Sequence, residues 1–354
     1  MVKQDQNLVM NALKITSHTA APAGWEAFVA GHPGGKLYHL PEWDAVVART
    51  LGRRTHYITL EEAGTLAGIL PLTEFNSRIF GRFAVSQPFI NYGGPLLASD
   101  ELITPLERYL AGLRSEQRYQ HIELRMDRPI ESQLPCKQHK VTFFMDLPED
   151  PEILMASLKA KVRSQVRRPM KENMSGRSGG TELLEDFYKV FTINMRELGT
   201  PPLPKSFFRA ILEQFPQNAF IVTVYAEDGT ACAGAFLIHY KDVMEIPWAS
   251  SLREYNRFSP NMLLYWESFR LAIEKGAKQF DFGRCTPDSG TYRFKKQWPS
   301  REQALYWYYV LPEGERLPEL NPDNAKFSLA IKTWTKLPLS VTRIVGPQII
   351  KNIP

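Results

Sequence analysis

The sequence predicts a mixed α/β (α+β) fold of two tandem domains, each a mixed sheet flanked by helices. Three observations lead there. The chain has 354 residues, about twice a common single-domain length. Hairpin signals alternate with helical patterns in both halves. The halves also repeat one order of elements: helices, a hairpin, more extended chain, an irregular loop, one helix and one strand. The late helices start at Ser99 and Ser259, about 160 positions apart. Few residues match between them, so the repeat is one of architecture. The expected division is 20–150, 151–312, and a basic, apolar tail over 313–354 that packs on the first domain or faces a membrane.

The elements follow in order. A polar stretch runs to Thr19. An amphipathic segment spans 22–30, and His32-Pro33-Gly34-Gly35 stops it. Pro41 suits the first turn of a helix over 41–50. Residues 54–60 and 65–75 flank 61–64 as a hairpin. Asn91-Tyr92-Gly93-Gly94-Pro95 is a backbone turn. Residues 99–117 read as a helix, and 121–126 and 141–147 as strands. One long basic helix is expected over 151–168, ended by Pro169. Helices follow at 181–198 and 204–215. Residues 218–226 and 230–240 flank Glu227-Asp228-Gly229, a hairpin signal. Residues 243–250 form a third strand with Pro247 in its middle. Proline cannot donate to a ladder, so it marks an edge or a bulge. Ser259 as N-cap and Pro260 in the first turn start a helix that stops at Gly276. Residues 278–283 and 303–311 are the last strands, the second one aromatic.

Composition excludes several classes. Hydrophobic residues are 44% and charged residues 23%, as in soluble globular proteins. Disorder, collagen-like repeats and a polytopic membrane protein do not fit. The N-terminal segment lacks a signal-peptide apolar run, and no stretch has the roughly 18 apolar residues of a span. The expected location is the cytosol, or the inner face of the plasma membrane as a peripheral protein. Cys136, Cys232 and Cys285 form no disulfide framework and no CxxC pair. The histidines are scattered, so no metal site is expected.

The second half carries the chemistry. Strand 243–250, a polar loop, a helix and strand 278–283 make a parallel crossover whose loop faces the helix N-terminus. A bulge at Pro247 would splay the two strands and open a slot between their ends. Asp281-Phe282-Gly283-Arg284, with Gly290-Thr291-Tyr292-Arg293-Phe294-Lys295-Lys296-Gln297-Trp298, resembles the closing motif of the FemAB family of tandem GNAT-fold acyltransferases. Residues 245–256 and 259–266, from Glu245 to Trp266, are similar to the FemAB-like subgroup associated with exosortase/PEP-CTERM exopolysaccharide systems. Tyr92-Gly93-Gly94-Pro95 fits as well, and the resemblance extends over about residues 20–312. It implies two GNAT-like (acyl-CoA N-acyltransferase) domains and transfer of an acyl or aminoacyl group to an amine of an envelope, exopolysaccharide or peptidoglycan precursor. The slot would hold the donor, with backbone N–H groups on its carbonyl. No cofactor is bound permanently. The donor would be aminoacyl-tRNA, acyl carrier protein or acyl-CoA. GNAT enzymes cradle the coenzyme A pyrophosphate in a glycine-containing loop. The loop 252–260 has no glycine, so coenzyme A is disfavoured.

Within that resemblance, Lys295 is expected to stabilise charge on the donor carbonyl or hold a phosphate; a solvated lysine at a strand end is the plain alternative. Asp281 and Glu245 are the candidate general bases. Asp281 could equally pin a loop, and strand alternation leaves the direction of Glu245 open. Substrate-binding expectations fall on Arg284, Tyr292, Lys296, Trp298, Trp248 and Tyr92, and donor-binding ones on Ser259 and Asn261. Cys285 reads as a loop residue.

The net charge of +5 is unevenly spread. Lys159, Lys161, Arg163, Arg167, Arg168 and Lys171 share a run without an acid. They suit a phosphate-bearing partner, such as a nucleotide- or undecaprenyl-linked sugar, an acyl carrier protein or tRNA, or else form a solvated face. Arg163, Arg167 and Arg168 are the binding candidates. After Asp323 no acid occurs, while Lys326, Lys332, Lys336, Arg343 and Lys351 alternate with Phe327, Leu329, Trp334, Ile344 and other apolar residues. Such a tail can rest on an anionic bilayer. Two alternatives stay open: an acyl-CoA-dependent N-acetyltransferase with an altered loop, and a non-catalytic membrane-associated scaffold of a polysaccharide export system.

Overall fold

In the computed structural model, which describes residues 13–77, 81–318 and 331–353, the two hairpins grow into one sheet. The first half is β1 (Leu13–His18), α1 (Trp25–Gly31), α2 (Pro41–Leu51), β2 (Arg54–Glu62), β3 (Thr65–Ser77), β4 (Gly81–Val85), β5 (Leu96–Leu97), α3 (Ile103–Glu116), β6 (Ile122–Met126) and β7 (Cys136–Asp146). The second half is α4 (Pro151–Ser157), α5 (Ala160–Lys171), β8 (Ser175–Gly179), α6 (Leu184–Glu197), α7 (Lys205–Gln214), β9 (Ala219–Tyr225), β10 (Ala231–Tyr240), β11 (Val243–Ser251), α8 (Pro260–Glu274), β12 (Gln279–Asp281), α9 (Gly290–Lys296) and β13 (Arg301–Val310). A further helix, α10 (Leu339–Ile350), lies near the end.

The 13-stranded sheet runs β1-β2-β3-β4-β6-β13-β7-β12-β11-β10-β9-β8, with β5 beside β3. Two of its pairings are parallel, β4 with β6 and β11 with β12. Parallel neighbours need a crossover, and α3 and α8 supply it. The architectural repeat is therefore present as β2-β3-β4-α3-β6 and β9-β10-β11-α8-β12. The last strands exchange places. β13 lies between β6 and β7 of the first half, and β7 lies between β13 and β12.

Strand alternation builds a core on each face of the second half's sheet. Val222 and Val224 of β9 join the core under α8, whereas Ala219 and Ile221 join that under α6 and α7. The second core crosses the halves. Trp43 of α2 meets Phe207 of α7 edge to face at 6.0 Å, beside Phe75, Phe83, Phe187 and Phe236. Each such buried ring contributes about 1.5–3 kcal/mol, so the halves are joined by packing as well as by the ladder. Lys241 at the β10–β11 turn adds a polar clip, donating to the Val29 and His32 carbonyls at 3.0 and 2.7 Å.

Several local expectations are corrected. The polar stretch before Thr19 contains β1, an edge strand paired with β2; an edge position tolerates its weak apolar pattern. Residues 1–12 lie outside the described residues. The long basic helix is two helices, parted where Leu158 is extended. The Arg163 guanidinium bridges the break by donating to the Ala156 and Leu158 carbonyls. Pro169 does not end α5, which continues to Lys171; in a last turn the ring forfeits one hydrogen bond. Ser259 sits at the N-cap of α8 in a left-handed conformation, and its side chain caps nothing. Residues 290–296 form helix α9, capped by Ser289, whose Oγ accepts from Tyr292 N at 3.1 Å.

Of the tail, Lys326, Phe327 and Leu329 lie outside the described residues. α10 packs on α6. Its end reaches the first half, where Arg53 donates to the Lys351 carbonyl at 2.8 Å and to Asn352 Oδ1 at 2.9 Å.

The Tyr92–Pro95 turn is glycine-rich because β6 runs against it. Gly93 N donates to the Arg125 carbonyl at 3.1 Å. A Cβ at Gly94 would collide with the Met126 sulfur and crowd the Arg125 carbonyl. Gly94→Ala is expected to destabilise by about 1–3 kcal/mol. Gly112→Ala, on α3 with nothing within 4 Å, should stabilise by about 0.5–1 kcal/mol. Urea midpoints of the two variants check both.

Candidate active site

Proline places the bulge. Phe236 of β10 pairs with Trp248, but Ile238 pairs with Glu245, so Ile246 and Pro247 together oppose Leu237. The ladder between β11 and β12 runs through Val243, Met244 and Glu245, and its last pair is Glu245 with Asp281. Just beyond, Gly283 has φ +68°, and a Cβ there would lie 2.7 Å from the Ile246 carbonyl oxygen. Only glycine fits this turn. The two candidate bases therefore sit side by side where the parallel strands stop pairing.

Both are buried. Glu245 is 5% exposed and accepts from Asn91 Nδ2 at 2.5 Å. Asp281 has no exposed surface. Its Oδ1 accepts from Thr142 Oγ1 at 2.5 Å and from Gly283 N at 2.9 Å, and its Oδ2 accepts from the Tyr92 hydroxyl. Burial disfavours the charged forms and raises Glu245 to about 7 and Asp281 to about 6. The positive charge of Lys36 works against both shifts. Paired carboxyls poised near neutrality suit proton transfer.

Lys295 is not a solvated strand-end residue. It lies on α9, 3% exposed, and Nζ donates to the Gly283 and Arg284 carbonyls at 2.6 and 3.2 Å. Burial lowers it to about 8, against the pull of Asp281 and Glu245. It thus holds the turn after β12 and places a cation behind the carboxyls.

A cavity of about 860 Å³ opens beside this cluster in the first half. Phe28, Lys36, Tyr92, Arg125, Asp127 and Arg128 are among its walls. Neither Glu245 nor Asp281 lines it; Tyr92 does, and its hydroxyl reaches Asp281. Lys36 lies 5.3 Å from the Tyr92 ring centre. Arg125 stacks on Trp307 at 4.4 Å, and Arg284 approaches the same ring at 5.5 Å. Arg284 is half-buried, burial lowers it to about 10, and its Nη1 has no hydrogen-bond partner.

The remaining expected residues lie apart. Tyr292 donates to Glu302 Oε2 at 2.7 Å and accepts from Lys296 Nζ at 3.2 Å. Trp298 is 2% exposed and packs on Phe269 at 4.9 Å. Trp248 packs on Phe208 at 5.2 Å. Arg167 and Arg168 are exposed on α5, whereas Arg163 is spent on the helix break. Ser259 and Asn261 are half-buried at the start of α8. Cys285 is buried opposite Val141, and burial raises its thiol, which disfavours the thiolate that a nucleophile needs. Lys36, Tyr38, Asn91 and Thr142 were missed by sequence reasoning. Asn91 adjoins Tyr92 in the turn, and Lys36 follows Gly34-Gly35, yet neither signal says that these loops face Glu245. Tyr38 is buried, and the charges of Glu245 and Asp281 help to raise its hydroxyl above the usual tyrosine range.

Raised carboxyls make a stability prediction. The stability tied to Glu245 and Asp281 is whole below the usual carboxylate range and is lost as pH rises through about 6 to 7. Glu245→Gln should therefore raise the melting temperature at pH 8 by roughly 3–6 °C, and by less at pH 5, in thermal unfolding.

Comparisons with known proteins extend the geometry. Residues 160–296 match the acetyltransferase (GNAT) domain family. No curated protein matches the chain in sequence. Among solved structures, FemX is similar with a TM-score of 0.63 at 16% identity, covering 83% of this chain and 97% of its own. L-PGS from Bacillus licheniformis has a TM-score of 0.55 at 16% identity, covering 93% and 98%. A tandem GNAT protein from the clavulanic acid biosynthesis pathway has 0.54 at 10% identity, covering 85% and 100%. The chain therefore has the tandem GNAT-like fold, and its residues 160–296 are a GNAT-type acyltransferase domain.

Proposed function

We propose that the chain is a FemAB-like N-acyltransferase that moves an acyl or aminoacyl group onto an amine of a cell-envelope, exopolysaccharide or peptidoglycan precursor. The observation that carries this reading is the Tyr92–Asp281 hydrogen bond. It joins a cavity large enough for a sugar-bearing acceptor to a buried carboxyl pair. The likeness to FemX and L-PGS supports an aminoacyl donor and an envelope acceptor, and the stretch from Glu245 to Trp266 supports the exosortase-associated subgroup.

In this reading the acceptor lies in the cavity and its amine attacks the donor carbonyl. As the C–N bond forms, the amine proton passes to Tyr92 while the Tyr92 proton passes to Asp281. Collapse of the tetrahedral intermediate breaks the bond to the donor oxygen or sulfur. Asp281 returns the proton to that leaving group through the same hydroxyl. Glu245 lies next to Asp281 on the paired strand and is its alternate as base. Lys295 fixes the Gly283–Arg284 turn and stabilises negative charge nearby. The exposed cations of α5 suit a phosphate-bearing donor, tRNA or a carrier protein.

An acyl-CoA donor is the second reading. It is favoured by the domain match and by the start of α8, where Ser259 leaves the first-turn amides without a side-chain cap. The 3₁₀ turn Arg253–Phe258 ahead of it has no glycine, which weighs against close approach of a pyrophosphate.

A donor screen, two variants and a pH profile test the proposal. Charged tRNA, acylated carrier protein and acyl-CoA are supplied in parallel, with envelope lipid extract as acceptor. Transfer from one of them identifies the donor class, and transfer from none overturns the reading. Tyr92→Phe should lower kcat by about 10²–10⁴ with little change in acceptor affinity. In the parent protein kcat/KM should rise through pH of about 6, as Asp281 ionises, and fall near 8, as Lys295 loses its proton. Asp281→Asn should remove the acid limb along with most of the turnover.

A further inference from the structure

The C-terminal helix is amphipathic the wrong way round for a water-facing element. α10 lies on α6 through small residues: Thr342 and Gly346 are buried, and Gly346 seats against Pro202. Arg343 Nε fastens it by donating to Thr192 Oγ1 at 3.0 Å. Positions 341, 344, 345 and 348 share the opposite face. There Val341 is 37%, Ile344 73% and Val345 41% exposed. A helix packed on a soluble protein normally turns such residues inward.

Further exposed apolar side chains lie just past the end of α6, the helix that α10 packs on. Leu198, at its end, is 57% exposed, and Ile331, 37% exposed, packs beside Gly199. Among the described residues, five of the seven exposed large apolar side chains fall here. That concentration separates the patch from the scattered apolar residues of an ordinary surface. Charge accompanies it. Lys332 and Lys336 are exposed in the same segment, Lys351 follows the helix, and the sequence has no acid after Asp323. An apolar face bordered by unopposed lysines complements an anionic lipid surface.

We propose that this face docks the protein on an anionic bilayer, with α10 lying in the plane of the headgroups. Ile344, Val345 and Val341 enter the acyl boundary, and the lysines meet lipid phosphates. Among the described residues no helix is long and apolar enough to cross a membrane, so the contact is peripheral. It stands independently of the acyl donor and of the catalytic reading.

Vesicle flotation of the full chain tests it. The probes are vesicles of phosphatidylcholine alone and vesicles that also contain phosphatidylglycerol. The protein should float with the second kind and be released as salt rises. Ile344→Asp should weaken partitioning about tenfold or more, and Ile344→Asp with Val345→Asp should abolish it. Both side chains are exposed, so melting temperature should not change. Lys332→Ser with Lys336→Ser should weaken binding at low salt only. No flotation of the parent protein overturns the proposal, as does equal flotation of the double Asp variant. Equal binding to both vesicle types removes its electrostatic half. Dimerisation without lipid that the Asp substitutions abolish would assign the face to a second copy instead.

Discussion

A carboxylate without exposed surface must be solvated by the protein, and Asp281 draws that solvation from both halves. Thr142 arrives on β7 and Tyr92 on the turn after β4, while Gly283 is its own neighbour on the chain. Thr142 can reach it only because β7 pairs with β12. Once β7 lies there, the place beside β6 is open, and β13 fills it. The strand exchange, the unbroken sheet and the shared aromatic core thus agree with one requirement: an acidic group buried at the seam. Leaving it unpartnered would cost several kcal/mol.

The same seam sets the electrostatics. Burial pushes Glu245 and Asp281 up and Lys295 down, so all three titrate in or near the physiological range. Folding is opposed by that arrangement at neutral pH, and the aromatic packing around it compensates. Such strain is expected where binding or proton transfer takes place. Glycines at 94 and 283 allow two backbones to approach what side chains would block. The Tyr92 hydroxyl then links the wall of the cavity to the buried Asp281 carboxyl.

Much of the fold was legible in local signals. The 61–64 and 227–229 turns are hairpins, Pro247 marks a real bulge, and α8 follows its Pro260 signal. These features depend on residues close in sequence, where turn chemistry and backbone restriction act directly. Other features were not legible. Leu158 carries no breaker, yet the chain breaks there, because Arg163 satisfies the freed carbonyls. β1 and β8 are edge strands, and half-exposed edges need little apolar patterning. Lys295 stood out through its motif, but that α9 and the turn after β12 would enclose it was not written locally. Asn91, Lys36 and Thr142 had no motif to announce them, since their importance is a matter of what lies opposite.

By itself the sequence determined the repeat of architecture, the crossover with its bulged strand, the motif around Asp281, and an acid-free, apolar tail. These are properties of spacing and composition, and they survive without knowledge of distant contacts. The tertiary structure alone decided which strands exchange places, which polar groups are sealed together at the seam, and which face of the C-terminal helix points outward. Those outcomes depend on pairings between residues more than a hundred positions apart. No local propensity encodes such pairings; only the burial and hydrogen bonding of the whole chain selects them.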